Sequence, residues 1–449
     1  MSFSTSTRAD LGTMGLQKSD SDRMRREHSA RRVVVVGAGI VGVSTAIWLQ
    51  RRGYRVVLVD RAGPGEGASF GNGGVLAACA VIPVTGPGLP RSLPKMLLHP
   101  DSPLFVNWRH LPKLAPWLAR YLWTCRAAET RRIAGALLPL IHDSLEEHRT
   151  LARGTPAERW LHGSDYLYVY PKESAFTAES FSWNLRRELG FAWEELGPEE
   201  LRERAPLLAQ KFGFGVRLGD HGYISDPGRY VGDLAAEAER NGAHIIKAEV
   251  SEIVLDRGRA AGVVAGGEKI AADAVVVAAG AWSGGLARSV GVAVPLESER
   301  GYHVELLEPS EMPRTPIMVA AGKFVITPMD GRIRIAGLVE FGGLEAGPNT
   351  RAFTHLERLA RAAMPGLRWR GTRCWMGHRP SPADSIPVLG AVPGAEGLFL
   401  GFGHHHVGLT GGPKTGRILA GLIGGERANI DLAPYRPDRF YRRQSKGRE

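Results

Sequence analysis

The sequence predicts a mixed fold, α/β where the chain begins and α+β overall, with a parallel strand–helix–strand unit and an antiparallel sheet. Three observations predict it. Residues 32–60 read as strand, helix and strand in succession around a glycine-rich turn. Residues 299–340 alternate apolar and polar side chains through "GYHVELL", "KFVITPM" and "GRIRIAGLVE", the period of strands with one solvated face. The chain has 449 residues, 43% of them hydrophobic and 23% charged, enough for two cores and too apolar for a disordered chain.

The elements follow in order. "RVVVV" (32–36) is a β-branched run ending in glycine, as a buried parallel strand does. "IVGVSTAIWLQRRG" (40–53) predicts a helix stopped at Gly53, and "YRVVLVD" (54–60) a second strand ending in an acid. A Pro- and Trp-rich stretch, about 83–125, differs in composition from its flanks and predicts an insertion crossing the domain surface. Residues 127–153 predict one long helix, 165–171 a strand, 176–190 a helix, and 198–206 a helix stopped by proline. Residues 226–242 predict a helix; 243–283 predict strand, hairpin, strand and an apolar run into "AAGAWS". "GLFLGFG" (397–403) predicts a strand, and "PKTGRILAGLIGG" (413–425) a helix with Pro413 in its first turn and glycines past its end.

The ends read differently from the body. Residues 1–30 lack the apolar core of a secretory signal, and their acids weigh against a transit peptide, so a disordered extension is expected, with Met24 a second candidate start. The net charge is +11, of which residues 1–32 carry +3 and residues 435–449 carry +4. Solubility is the plain reading of such tails; attraction to an anionic membrane surface comes next, and nucleic acid last. The chain has no apolar run of about 18 residues, so no transmembrane helix is expected. Cys79, Cys125 and Cys374 are too scattered for a disulfide framework or a metal cluster, which points to a reducing, cytoplasmic setting.

"GAGIVG" sets Gly37, Gly39 and Gly42 in GxGxxG spacing, with Ala46 extending it. The hexapeptide alone is a weak signal, but here it leaves a strand, opens a helix and is followed by Asp60 at the end of the next strand. That is the Rossmann-like arrangement a dinucleotide needs. Gly37 allows the tight turn, Gly39 lets a pyrophosphate approach, and Gly42 lets helix and strand pack closely. The helix N-terminus presents free N–H groups to phosphate, and Asp60 accepts from a ribose hydroxyl. The predicted cradle is Gly37, Ala38, Gly39, Ile40, Val41, Gly42, Asp60 and Arg61.

Position favours FAD over NAD. The motif begins the folded chain, and two later glycine segments look built for the same ligand. "GASFGNGG" (67–74) offers Ser69, Asn72 and Gly73, and "VVVAAGAWS" (275–283) breaks at Gly280. Three distant segments suit a long ligand that becomes part of the core.

These segments, with "WMGHRPSPADSIPVLG" (375–390), "GFGHHHVGLTGGPKTGRILAGLI" (401–423) and "IDLAPYRPDRF" (430–440), resemble the FAD-dependent D-amino-acid oxidase superfamily, most of all the bacterial D-amino-acid dehydrogenases. The resemblance runs with gaps over roughly residues 32–440. It implies an FAD domain from 31–82, 220–295 and 375–440, interleaved with a substrate domain from 83–219 and 296–374, and a basic tail from 441 to 449. It adds Val250, Gly403, His404, Gly408, Leu409 and Thr410 to the cofactor contacts, with the free amides near Gly408–Gly412 facing the flavin pyrimidine edge. Cys374 matches no flavin-linking position, which implies non-covalent FAD.

At the substrate end, the resemblance makes Arg379 of "GHRPS" the carboxylate-binding residue, a role its rigid fork suits. Tyr302 and His303 are candidates to reach the substrate; Arg300 and Lys323 are weaker ones. The implied reaction passes the Cα hydrogen of a D-amino acid, or a related small amine such as D-proline or hydroxyproline, as hydride to the flavin. The imino acid is then hydrolysed to a 2-oxo acid, and the electrons leave to a quinone or other carrier. Peripheral contact with the inner face of the membrane is compatible with the basic tails, and no nucleic-acid partner is expected. The alternatives are an amine oxidase of the glycine or sarcosine type using oxygen, a flavin enzyme modifying tRNA, an NAD-dependent dehydrogenase and a non-catalytic binding module.

His404, His405 and His406 invite a metal reading, but consecutive residues diverge, and no HxxxH, HExxH or acid cluster completes a site, so no metal is expected. His404 is placed along the flavin. One of His405 and His406 is expected to face the substrate and hydrogen-bond its amine or tune its protonation.

Overall fold

The computed structural model describes residues 31–90, 104–106 and 109–441. The expected extension at 1–30 and nearly all of the basic tail lie outside the described residues, as does 91–103 of the Pro- and Trp-rich stretch.

The first valine run forms the centre of a six-stranded sheet. Its strands run in the order Val388–Ala391, Leu398–Phe402, Ala274–Val277, Arg32–Val36, Arg55–Asp60, His244–Lys247, parallel except for the first. Alternation sorts the valines by face. Val33 and Val35 pack with the helices, including Ile40–Arg51 and Gly408–Ile423, while Val34 and Val36 pack with a three-stranded antiparallel sheet of Val250–Asp256, Arg259–Ala265 and Glu268–Ala271.

The alternating segments join a ten-stranded sheet. Its main path runs Gly371–Pro382, Leu296–Leu307, Arg332–Phe341, Phe324–Met329, Ile317–Val319, Leu161–Tyr170, Phe214–Ile224, Val75–Leu76. One face is closed by the helix Thr350–Ala363, whose Leu356 and Ala360 meet Val304, Ile333 and Ile335. The other face carries a registered row, Tyr168, Met318, Val325, Ala336, His303 and Trp375, toward the interior of the molecule. The two large sheets draw on alternating stretches of chain. The segment boundary expected at 375 falls inside a strand, because Gly371–Pro382 pairs with Leu296–Leu307 along its whole length.

Four local expectations are corrected. The long helix over 127–153 is two, Ala127–Ile141 and Ser144–Ala152. Tertiary partners outweigh helix propensity at the break: Asp143 takes Lys414 Nζ at 2.5 Å, and Ser144 Oγ donates to the Thr410 carbonyl at 2.8 Å. The helix over 176–190 is also two, Glu173–Thr177 and Ser180–Glu188. The final helix starts at Gly408, so Pro413 lies inside it. Lastly, the Pro- and Trp-rich stretch does not simply cross the surface. Its helix Leu111–Trp123 buries Leu114, Trp117 and Tyr121 against Phe341 and Ala383.

Candidate active site

Between the two sheets lies a cavity of about 1250 Å³. That exceeds the roughly 300–1,000 Å³ of most small-molecule sites, as a long cofactor with a substrate beside it requires.

Its nucleotide end is made by the first strand–helix–strand unit. Gly37, with φ +105°, turns so tightly that a Cβ there would overlap the Ala278 carbonyl, and a Cβ on Gly42 would overlap the Gly37 carbonyl. Gly37, Gly39, Ile40, Val41, Asp60 and Arg61 line the cavity. Ala38 and Gly42 do not: the Ala38 amide donates to Asp60 at 2.8 Å, and Gly42 serves packing. Asp60 also accepts from the amides of Ala62 and Gly63. The Arg61 guanidinium lies 3.5 Å over the Trp282 ring.

The segment 69–74 is pinned to the ten-stranded sheet. Ser69 Oγ accepts from the Ile40 amide at 3.0 Å, capping the first helix. Arg334 donates to the Phe70 carbonyl, His303 to the Gly71 carbonyl and Thr327 to the Gly73 carbonyl. Asn72 turns back on the Gly74 amide. Trp375 stacks on His303 and fits only because Gly71 and Gly377 have no side chain. Ser69, Asn72, Gly73, Val250 and Gly280 all reach the cavity.

The third wall is the turn before the last helix. Gly403, with φ +85°, leaves room for Pro382; Gly403, His404, Gly408, Leu409 and Thr410 line the cavity. The helix Gly408–Ile423 lies against Ile40–Arg51, and Gly412 and Gly416 permit the close crossing. Two helix N-termini therefore open into one cavity, each with free N–H groups and partial positive charge. Glycines where a Cβ would overlap backbone and paired helix N-termini suit a pyrophosphate and an electron-rich ring edge. The residues present fit FAD.

Opposite these sits an ionic cluster. Arg379 lines the cavity with its side chain 24% exposed; Nη1 donates to Glu299 at 3.2 Å and to the Leu338 carbonyl at 3.1 Å. Among the described residues, Nη2 and Nε of Arg379 have no hydrogen-bond acceptor. Glu299 is buried, and its second oxygen lies 2.9 Å from His405 Nε2. Burial alone would raise the Glu299 pKa, but His405 and Arg379 bring it down to about 2, so it is ionised at neutral pH. His405 holds φ +53°, and its Nδ1 lies 2.9 Å from His406 Nδ1. Burial, with His405 beside it, lowers His406 to about 3. Burial lowers His404 to about 4, and its Nε2 meets Thr415 Oγ1 at 2.8 Å. The Tyr121 ring stacks on His405 and Trp117, and burial pushes its hydroxyl pKa well up.

Several expected residues have their polar groups engaged by the protein, although Tyr302 and Lys323 line the cavity. The Tyr302 ring is buried and its hydroxyl donates to Glu340 while accepting from the Asn349 amide, so it is committed away from a substrate. Arg300 is likewise spent on Glu340, and Lys323 pairs with Glu179 at 2.9 Å. Glu299 and Tyr121 escaped sequence reasoning. Leu114, Trp117 and Tyr121 do follow helical spacing, which would have marked a buried face; for Glu299 nothing local pointed to the cluster.

A family model described as FAD dependent oxidoreductase, DAO, matches residues 32–422. A D-amino-acid oxidase from Bradyrhizobium diazoefficiens is 39% identical over 91% of this chain and 99% of that protein. A D-amino acid dehydrogenase from the same organism is 29% identical over 92% and 99%. Among solved structures, glycine oxidase from Geobacillus kaustophilus superposes with a TM-score of 0.70 at 24% identity, covering 91% of this chain and 99% of that one.

Proposed function

We propose, from the premise that this chain belongs to the DAO family of FAD-dependent oxidoreductases, that it oxidises a D-amino acid or a related small amine such as D-proline. The chain is an enzyme and its cofactor is FAD. The finer reading rests above all on Arg379, whose Nη2 and Nε stand in the FAD cavity with no protein acceptor among the described residues. A guanidinium edge in that state suits a carboxylate. Gripping the carboxylate fixes the position of Cα, and the low-dielectric pocket excludes water from it.

FAD supplies the acceptor for the two electrons and hydrogen leaving Cα. The chain's own contribution is to hold the substrate, keep Glu299 ionised beside Arg379, and aim the last helix's amides where negative charge develops. The product imine hydrolyses to a 2-oxo acid and ammonia. In this reading FAD is held non-covalently.

A quinone or carrier is the acceptor in this reading, and the basic ends would draw the protein to the inner face of a membrane. Among the described residues, no helix is long and apolar enough to cross one. A second reading, molecular oxygen, is favoured by the higher identity to a protein named an oxidase.

The test is anaerobic bleaching of the bound flavin by a panel of D- and L-amino acids, glycine, sarcosine and prolines. Bleaching by D-amino acids or D-proline is expected, and failure of every amine refutes the reading. Re-oxidation by air or by a water-soluble quinone then separates the acceptors. Arg379→Ala should retain FAD and lose substrate affinity by about 100-fold; loss of FAD instead would show that Arg379 serves the cofactor.

A further inference from the structure

An amino acid enters this site as a zwitterion, yet its Cα hydrogen leaves as hydride only when the amine is neutral. A proton must go somewhere. The cluster beside Arg379 has the geometry to take it, and this inference rests on the amino-acid reading above.

The donor and acceptor capacities of the groups set the hydrogen-bond directions. Glu299 is an acceptor only, so His405 Nε2 carries the hydrogen between them. One proton fits between the two Nδ1 atoms. A relay requires that this proton sit on His406 Nδ1, which leaves His405 Nδ1 and His406 Nε2 as acceptors; a proton on His405 Nδ1 would instead leave the hydrogen on His406 Nε2. The His406 ring lines the cavity, and its Nε2 has no protein partner among the described residues. The Glu299 surroundings complete the electrostatics. Arg379 and Ser381 face it from the strand 371–382, His405 and His406 from the turn, and Tyr121 with Cys125 behind it from the helix 111–123 and its end. His110 meets Glu297 two positions along the same strand, at 3.3 Å.

We propose that Glu299, His405 and His406 form a relay that accepts the substrate's ammonium proton. The N–H bond of the ammonium breaks as His406 Nε2 takes the proton. His406 passes its Nδ1 proton to His405 Nδ1, and the resulting imidazolium is stabilised by the Glu299 carboxylate. No electrons move and charge is conserved. The proton ends beside a carboxylate rather than on the desolvated His406 ring, which makes the transfer favourable in a buried site. His406 is the residue that touches substrate, and Glu299 and His405 are positioning residues. The left-handed backbone of His405 is part of the device, since it turns the two Nδ1 atoms toward each other.

The experiment follows the rate of anaerobic flavin reduction by D-alanine, D-methionine and D-proline from pH 6 to pH 10, in the wild type, His406→Asn, Glu299→Gln and Glu299→Asp. In His406→Asn the rate at saturating substrate should climb about tenfold per pH unit through neutrality, tracking the free amine, while the wild type stays nearly flat. Glu299→Gln should behave like His406→Asn, and Glu299→Asp should recover part of the flat profile. FAD content and the visible spectrum of each variant check folding. Histidine nitrogen NMR on the FAD-loaded protein gives a second readout, with His406 Nε2 expected unprotonated at pH 7. If His406→Asn keeps the wild-type profile, or Nε2 carries the proton at pH 7, the relay is overturned. If no amine bleaches the wild-type flavin, the amino-acid reading itself has failed.

Discussion

His148 donates its Nε2 proton to the Leu409 carbonyl at 2.9 Å, and Leu409 is the residue whose carbonyl Pro413, four positions on, has no N–H to satisfy. The Tyr230 hydroxyl, 2.8 Å from Nδ1, fixes the tautomer. A proline inside the last helix is thus tolerated because a buried histidine replaces the missing donor. That lets the helix run a full turn further, to the edge of the flavin cavity.

The first prediction concerns that histidine. Burial lowers the His148 pKa to about 4 from its ordinary 6.5. A histidine held neutral stabilises the fold above the unfolded value, and that stability is lost as pH falls from 6.5 toward 4. His148→Ala should therefore cost about 2 kcal/mol at pH 7, from an unsatisfied Leu409 carbonyl and lost packing. The cost should shrink by about as much at pH 5. Urea unfolding at both values checks it; an equal cost at both would refute the account.

The second prediction separates substrate binding from folding. A Cβ on Gly301 would overlap the Arg379 guanidinium, the far end of a flexible side chain that can swing aside. Gly301→Ala should fold, keep its FAD and shift its Tm by no more than a few degrees. Its substrate KM should rise about tenfold or more, since the clamp loses its orientation. A normal KM would mean that the guanidinium's place across Gly301 does not matter to binding.

Much of the cofactor half was legible in the sequence. Glycine spacing, β-branched runs and a terminal acid are local features, and steric rules alone force Gly37 into its turn. The ionic cluster was not legible, because Glu299 meets His405 across more than a hundred residues and Arg379 across a strand register set by the whole sheet. Tyr302 shows the opposite failure. It was expected to reach the substrate, but a partner on the next strand, Glu340, claims its hydroxyl. The break at His142 and Asp143 and the early start of the last helix share one cause. Lys414, Ser144 and His148 satisfy polar groups that sequence windows treat as helix costs.

A third prediction links a buried carboxylate to the cofactor. Burial would raise the Glu305 pKa, but Arg334 and Arg332 bring it down to about 2. Glu305 in turn holds Arg334, which donates to the Phe70 and Asn72 carbonyls beside the flavin cavity. A depressed carboxyl stabilises the fold above its unfolded value near 4.5 and loses that contribution as pH falls toward 2. Glu305→Gln should cost about 3 kcal/mol at pH 7 and weaken FAD binding about tenfold. Its stability should converge on that of the wild type as the pH approaches 2. Thermal unfolding of the apoprotein with FAD titration tests both parts.

The last prediction turns on one methyl group placed in two helices. A Cβ on Gly416 would sit 2.6 Å from Ser44 Cβ and from the Thr45 amide nitrogen, atoms whose positions the helix backbone fixes. A Cβ on Gly232, inside the helix Pro227–Arg240, would meet nothing within 4 Å. Gly232→Ala should then stabilise the protein by about 0.5–1 kcal/mol, because it restrains the unfolded chain and improves helix propensity. Gly416→Ala gains the same propensity but must push apart the two helices whose N-termini open into the flavin cavity. Overpacking of this kind costs about 1–3 kcal/mol. The displacement should also reach the cofactor, lowering FAD retention through gel filtration while Gly232→Ala retains it fully. Equal FAD content in both variants would mean that the helix crossing sets stability alone and leaves the two N-termini in place.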